Sequence, residues 1–209
     1  MRTLVFNGWA AGPEAWELTT FPRDWTFSYI EELDGLPARV MQDFDDVILV
    51  GFSMGGSMAL EALLTYPEKV KGLLLISATA CMLEKKDECW CGMSERRFRA
   101  FEAGTEILFA NDPSPIYAPE NMRRGLEYLV ATDNRAALRE LAKARGFDFP
   151  VEIVYSEKDG IVRPTNAAFF EEIFPMARVT CVPGNEHTLP ITCPEIIDGA
   201  YASILKRLK

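Results

Sequence analysis

The chain has 209 residues, of which 48% are hydrophobic, 11% aromatic and 25% charged. Those proportions are ordinary for a globular protein and exclude disorder or low complexity across the whole chain. With 22 Lys and Arg against 31 Asp and Glu the formal net charge is −9, a balance poorly suited to nucleic acid or an anionic membrane surface as main partner.

The length fits one domain whose core needs no disulfide staples. Histidine occurs once, at His187, so any imidazole chemistry must use that residue. The five cysteines, Cys81, Cys89, Cys91, Cys181 and Cys193, are an odd number. Met1-Arg2-Thr3 leads into only a short apolar-leaning stretch before Asn7-Gly8, so no leader is expected, and no apolar run reaches the roughly 18 residues of a membrane span. Together these features point to free thiols in a reducing cytoplasm. Cys81, Cys89 and Cys91 lack zinc-ribbon or zinc-finger spacing, so no metal site is expected.

In chain order, strands are expected at residues 4–6, 27–30, 47–50, 73–76, 151–155 and 178–182. The runs Val47-Ile48-Leu49-Val50 and Leu73-Leu74-Leu75-Ile76 read as strands buried on both faces, as in a parallel sheet covered by helices. Helices are expected from Pro37 to about residue 44, over 54–66 with Pro67 as stop, over 165–174 ended by Pro175, and over 195–207. This alternation predicts a three-layer α/β fold.

Residues 81–147 break the rhythm with helical patterns at 94–103, 120–132 and 134–145 and no convincing strand. The segment holds 11 basic and 11 acidic side chains, net zero, whereas residues 1–80 carry 5 against 11 and residues 148–209 carry 6 against 9. It reads as an insertion between two core strands, long enough to form a helical cap on a body made of 1–80 and 148–209.

Gly51-Phe52-Ser53-Met54-Gly55 is a G-x-S-x-G sequence placed after a buried strand and before a helix. That setting is what a nucleophile elbow requires. The absence of a lysine and of G-x-G-x-x-G spacing argues against a phosphate loop. Ser53 needs a base, and His187 follows the last expected strand, where a loop would bring it to the end of the sheet. The orienting acid should lie in the loop after the preceding strand, where Asp159 is preferred over Glu157. The Met54 N–H, and the Trp9 N–H in the loop after the first strand, are candidates for an oxyanion hole. No cofactor or metal is needed for this chemistry.

The order Ser53, Asp159, His187 and the elbow make the chain resemble the α/β-hydrolase superfamily nearly end to end. The resemblance implies a mostly parallel sheet of about six strands, starting at what corresponds to the family's third strand, with the cap inserted where 81–147 falls. Asn7-Gly8-Trp9 with Trp16, and His187 followed by Leu189, Pro190 and Pro194-Glu195, resemble the biotin-pathway pimeloyl-[acyl-carrier protein] methyl ester esterases. Here Asn7 stands in place of the usual histidine and Glu186 in place of the glycine that commonly precedes the catalytic histidine.

That resemblance implies a serine esterase acting through an acyl-enzyme on a small or carrier-linked ester, with acyl carrier protein held by cap arginines. The candidates are Arg96, Arg97, Arg99, Arg123, Arg124, Arg135, Arg139 and Arg145, of which Arg123 and Arg124 are expected at the substrate; solvated helix faces are the alternative. Trp9, Phe98 and Phe109 are candidate substrate contacts. Phe98, Phe101, Leu108, Phe109, Leu126 and Leu129 would line an acyl pocket or pack the cap's own core. Thioesterase, lactonase, acyltransferase and catalytically silent ligand-binding functions also occur on this scaffold.

Overall fold

A computed structural model describes residues 1–28, 33, 35–83, 93–109 and 114–209, without the side chains of 105–109 and 115. Strand β1 (Arg2–Phe6) is followed by a 3-10 turn at Pro13–Trp16, the two-residue strand β2 (Trp25–Thr26) and helix α1 (Leu36–Gln42). Strand β3 (Val47–Phe52), helix α2 (Met54–Thr65) and strand β4 (Val70–Ile76) come next. Then follow α3 (Glu95–Phe109), a 3-10 turn at Pro115–Tyr117, α4 (Pro119–Ala131) and α5 (Arg135–Arg145). The chain finishes with β5 (Val151–Ser156), α6 (Thr165–Ile173), β6 (Arg178–Val182), the short α7 (Leu189–Thr192) and α8 (Pro194–Arg207).

Proline punctuates these helices as its missing N–H requires. It opens α4 and α8 in their first turns. Pro67 follows the end of α2, whose last flanking residue, Tyr66, has left helical geometry. Lys206 and Arg207 in the last turn of α8 favour its negative dipole end.

The six strands form one sheet in the order β2-β1-β3-β4-β5-β6, and every neighbouring pair is parallel. Side chains alternate across it. Leu4, Phe6, Leu49, Leu73 and Leu75 pack toward α1, α2 and α6. Val5, Val50, Phe52, Leu74 and Ile76 pack toward Trp16, α7 and α8 on the other face. The strand expected at 27–30 lies instead at Trp25–Thr26, paired with Leu4 and Val5. At this sheet edge, hydrogen bonding to β1 decides the register and the apolar run does not; Tyr29 and Ile30 lie outside the described residues.

Strand order reverses between β1 and β3: β1 has β2 on one side, and the remaining strands extend from the other. The carboxyl ends of the two strands at such a switch point frame the crevice where α/β sheets bind ligands. Those ends are Phe6, followed by Asn7-Gly8-Trp9, and Phe52, followed by Ser53.

Between β4 and β5 the described residues carry α3, α4 and α5, and α3 runs to Phe109, well beyond the expected end at 103. The start of this β4–β5 segment is pinned to the turn between α4 and α5. Cys81 and Asp133 form an antiparallel bridge, and the Asn134 N–H donates to the Ala80 carbonyl at 2.8 Å. Buried side chains extend this seam into α2: Asn134 Nδ2 donates to the Ser57 carbonyl at 3.1 Å, and Ser57 Oγ donates to the Thr79 carbonyl at 2.9 Å. Cys81 is a buried thiol that donates to the Leu83 carbonyl at 3.0 Å; among the described residues neither it nor Cys181 nor Cys193 forms a disulfide, and Cys89 and Cys91 lie outside the described residues. Among the described residues no helix is long and apolar enough to cross a membrane.

At the β2 edge of the sheet, Asp24 Oδ2 accepts from the Thr3 N–H at 2.7 Å and Oδ1 from Arg2 Nη1 at 2.8 Å. The Thr3 bond first, then the Arg2 bond, hold its carboxyl below the ordinary value of 3.8. A depressed folded-state value contributes stability that is present above the unfolded value and is lost as pH falls through the folded one. Asp24→Ala should lower the unfolding free energy read from urea titration at neutral pH by on the order of 1 kcal/mol. The difference from wild type should shrink below about pH 4; a difference that grows on acidification contradicts this account.

Candidate active site

The turn from β3 into α2 is set by crowding. A Cβ on Gly51 would lie 2.6 Å from both the Gly55 carbonyl oxygen and Gly56 Cα, and one on Gly55 would collide with the Phe6 carbonyl. Only glycine lets the start of α2 come this close to both strands. Ser53, between them, takes φ 54° and ψ −118°, a strained conformation for a residue with a Cβ. Its N–H donates to the Ile76 carbonyl at 2.9 Å and its carbonyl accepts from the Gly56 N–H at 2.9 Å, so the strained residue is held from both sides.

His187 Nε2 lies 2.9 Å from Ser53 Oγ, and His187 Nδ1 lies 2.8 Å from Asp159 Oδ2. With the ring proton on Nδ1, the imidazole donates to Asp159 and accepts from Ser53. The Asp159 side chain is fully buried. Its second oxygen, Oδ1, accepts from the Ile161 and Val162 N–H groups at 2.7 and 3.0 Å. Both oxygens are thus occupied and the carboxylate cannot rotate away from the ring. Glu157, the other sequence candidate, is exposed.

The two loops that bring Asp159 and His187 together are tied to each other. The Lys158 N–H donates to the Gly184 carbonyl at 2.8 Å and the Glu157 N–H to the Val182 carbonyl at 2.9 Å. Ser156 Oγ donates to the Glu186 carbonyl. The Glu186 side chain is exposed, and the Phe52 ring lies 5.4 Å from the imidazole.

Asn7 is fully buried. Its Nδ2 donates to the Phe27 carbonyl at 2.7 Å and its Oδ1 accepts from the Trp16 indole N–H. It therefore fixes the loop after β1 and gives a fully buried indole the acceptor it requires. In the sequence Asn7 and Trp16 stand out only through a resemblance, since their bond joins residues nine apart across a turn.

Among the described residues, the Met54 and Trp9 backbone N–H groups have no acceptor. Trp9 Nε1 donates to the Met122 carbonyl of α4 at 3.0 Å, and its ring lies 5.2 Å from that of Phe101 on α3. A cavity of about 510 Å³ opens beside Ser53 and His187. Trp9 and Phe52 line it from the loop after β1 and the end of β3, and Met82, Phe101, Tyr117 and Leu129 line it from the segment between β4 and β5.

Several expected contacts fall elsewhere. Phe98 is buried in the main core, and Phe101, one turn further along α3, meets the cavity instead. Leu126 also packs into the core, while the side chains of Leu108 and Phe109 lie outside the described residues. Arg123 is exposed, Arg124 is half-buried, and neither lines the cavity. Four other arginines are engaged: Arg97 donates to the Gly160 carbonyl, Arg99 pairs with Glu95, Arg135 with Asp133 and Arg139 with Glu172.

A family model described as alpha/beta hydrolase fold matches residues 26–90. A bromoperoxidase from Bacillus anthracis superposes with a TM-score of 0.79 at 18% identity, over 98% of this chain and 91% of that one. The chain has the α/β-hydrolase fold. Within that fold its sequence is similar to proteins named pimeloyl-[acyl-carrier protein] methyl ester esterase. The one from Nitrosospira multiformis is 24% identical over 72% of this chain and 65% of its own length, so the matched stretch covers less than two thirds of that relative. The one from Serratia marcescens is 22% identical over 92% of this chain and 89% of its own length.

The Asn7 clamp gives this hydrolase-fold site a direct test. Asn7→Leu leaves a buried indole N–H and a buried carbonyl unpaired, at a cost of roughly 2–4 kcal/mol. The urea midpoint should fall accordingly, and an unchanged midpoint would remove Asn7 from the support of the β1 loop.

Proposed function

We propose that the protein is a serine hydrolase that cleaves carboxylic esters through an acyl-enzyme on Ser53. The observation that carries this reading is the unbroken series Ser53–His187–Asp159, with its serine on a strained turn at the floor of an apolar cavity. Ser53 Oγ attacks the ester carbonyl and its proton passes to His187 Nε2. Asp159 holds the ring tautomer and balances the charge of the imidazolium. The Trp9 and Met54 N–H groups donate to the oxyanion of the tetrahedral intermediate. The imidazolium then protonates the departing alcohol. A water molecule, deprotonated by the same imidazole, releases the acid and restores the serine.

In this reading residues 81–147 are the cap on a body made of 1–80 and 148–209. The cap closes the apolar side of the cavity and lowers the effective dielectric around the developing charge. The substrate class suggested by the relatives' name is a methyl ester of a carrier-linked acyl chain, met in the cytoplasm. An acidic carrier protein would be held through Arg123 and Arg124, which lie on the helix whose Met122 carbonyl holds Trp9. Neither is committed to an acid among the described residues, unlike Arg99, Arg135 and Arg139.

Ser53→Ala should reduce hydrolysis of a p-nitrophenyl ester by at least about a thousandfold, and retained turnover sinks the assignment. Reversing the charges of Arg123 and Arg124 together should raise KM for a carrier-linked methyl ester far more than for the small ester. Equal effects on the two substrates would remove the carrier from the account.

A further inference from the structure

The cavity beside Ser53 is lined by apolar side chains along most of its wall, but the described residues lining it include one carboxylate, Glu14, and no lysine or arginine. Glu14 is exposed, so it stands where the cavity meets solvent. Its carboxylate is also held in place. Oε1 accepts from the Gly12 N–H at 3.0 Å across the first turn of the Pro13–Trp16 segment. Gly12 is packed so closely that a Cβ there would lie 2.6 Å from both Glu14 Oε1 and Ile116 Cδ1 of the inserted segment. The charge therefore sits at the seam between body and insertion, at the rim of the cavity. Among the described residues no cation pairs with it.

A fixed negative charge at the rim of a poorly polarisable cavity raises the energy of a second anion there and lowers that of a cation, while leaving uncharged chains unaffected. We propose that Glu14 sets the charge selectivity of the site. The cavity takes esters whose far end is uncharged, and discriminates against those ending in a free carboxylate. Its substrates are then esters of monocarboxylic acids, or of dicarboxylic acids with both carboxyl groups masked. This proposal rests on the ester-hydrolase reading of Ser53, and its test keeps the two apart. The opposing view is that Glu14 only caps its own turn. Glu14→Gln distinguishes them, because the amide oxygen still accepts from Gly12 while the charge is gone.

The experiment compares p-nitrophenyl hexanoate with mono-p-nitrophenyl adipate, which differ by a terminal carboxylate. Wild type should favour the hexanoate in kcat/KM, and that preference should fall about threefold or more in Glu14→Gln. Added salt should reduce the wild-type preference in the same direction. A preference identical in the two proteins overturns the proposal. Calorimetric binding of hexanamide and of adipamate to Ser53→Ala, with and without Glu14→Gln, reads the same selectivity with no turnover. Absence of ester hydrolysis together with a charge-dependent binding preference would reject the esterase reading alone. A binding preference that ignores Glu14 would reject the selectivity.

Discussion

Helix α2 begins so close to the ends of β1 and β3 that no side chain fits at position 55 and none at position 51. The rest of the site depends on that contact. It forces Ser53 into left-handed backbone geometry and lifts its hydroxyl out of the sheet at the point where strand order reverses. It also brings the Met54 N–H, at the positive end of α2, beside the loop that carries the Trp9 N–H. The strain at Ser53, on the order of 1–3 kcal/mol, is sustained by packing on both faces of a sheet whose central strands are buried at every position but Lys71.

The segment between β4 and β5 is tied to that arrangement at both of the loops that matter. The Trp9 indole donates to the Met122 carbonyl of α4, and its ring meets Phe101 of α3. On the other side, Arg97 of α3 reaches the Gly160 carbonyl, next to Asp159. The turn between α4 and α5 is stapled separately to α2 and to the residues after β4 through Asn134, Ser57 and Thr79. The residues that shape the cavity are therefore positioned by the same contacts that steady the loops carrying Trp9 and Asp159. The role of Arg97 also shows that an arginine-rich helix need not be a docking surface: among the described residues Arg97, Arg99, Arg135 and Arg139 of this segment have partners within the chain.

Much of the architecture is legible in the sequence because burial on both faces leaves an unmistakable apolar run. The strand at 178–182 matches the observed element end for end, and 47–50 and 73–76 fall inside β3 and β4. Elements whose existence depends on partners are less legible. The strand β2 is two residues long and placed by pairing with β1, and α7 is a single proline-started turn. In the site, a lone histidine and chain order narrow the candidates to very few. Choosing between Asp159 and Glu157 requires the direction of a side chain, which two residues of spacing do not encode. Phe98 and Phe101 share one face of α3, and helical periodicity identifies that face without saying which residue reaches the cavity. The bonds of Asn7 to Trp16 and Phe27 have no sequence signature.

The central claim is that hydrogen bonding to His187, itself held by Asp159, makes the Ser53 hydroxyl a nucleophile. Labelling of the intact protein with a fluorophosphonate, followed by peptide mapping, tests it most directly. The account predicts a single modified serine, Ser53, and loss of that modification in His187→Gln while the fold is retained. A protein that resists the reagent, carries the label on another serine, or reacts equally well without the imidazole would contradict it.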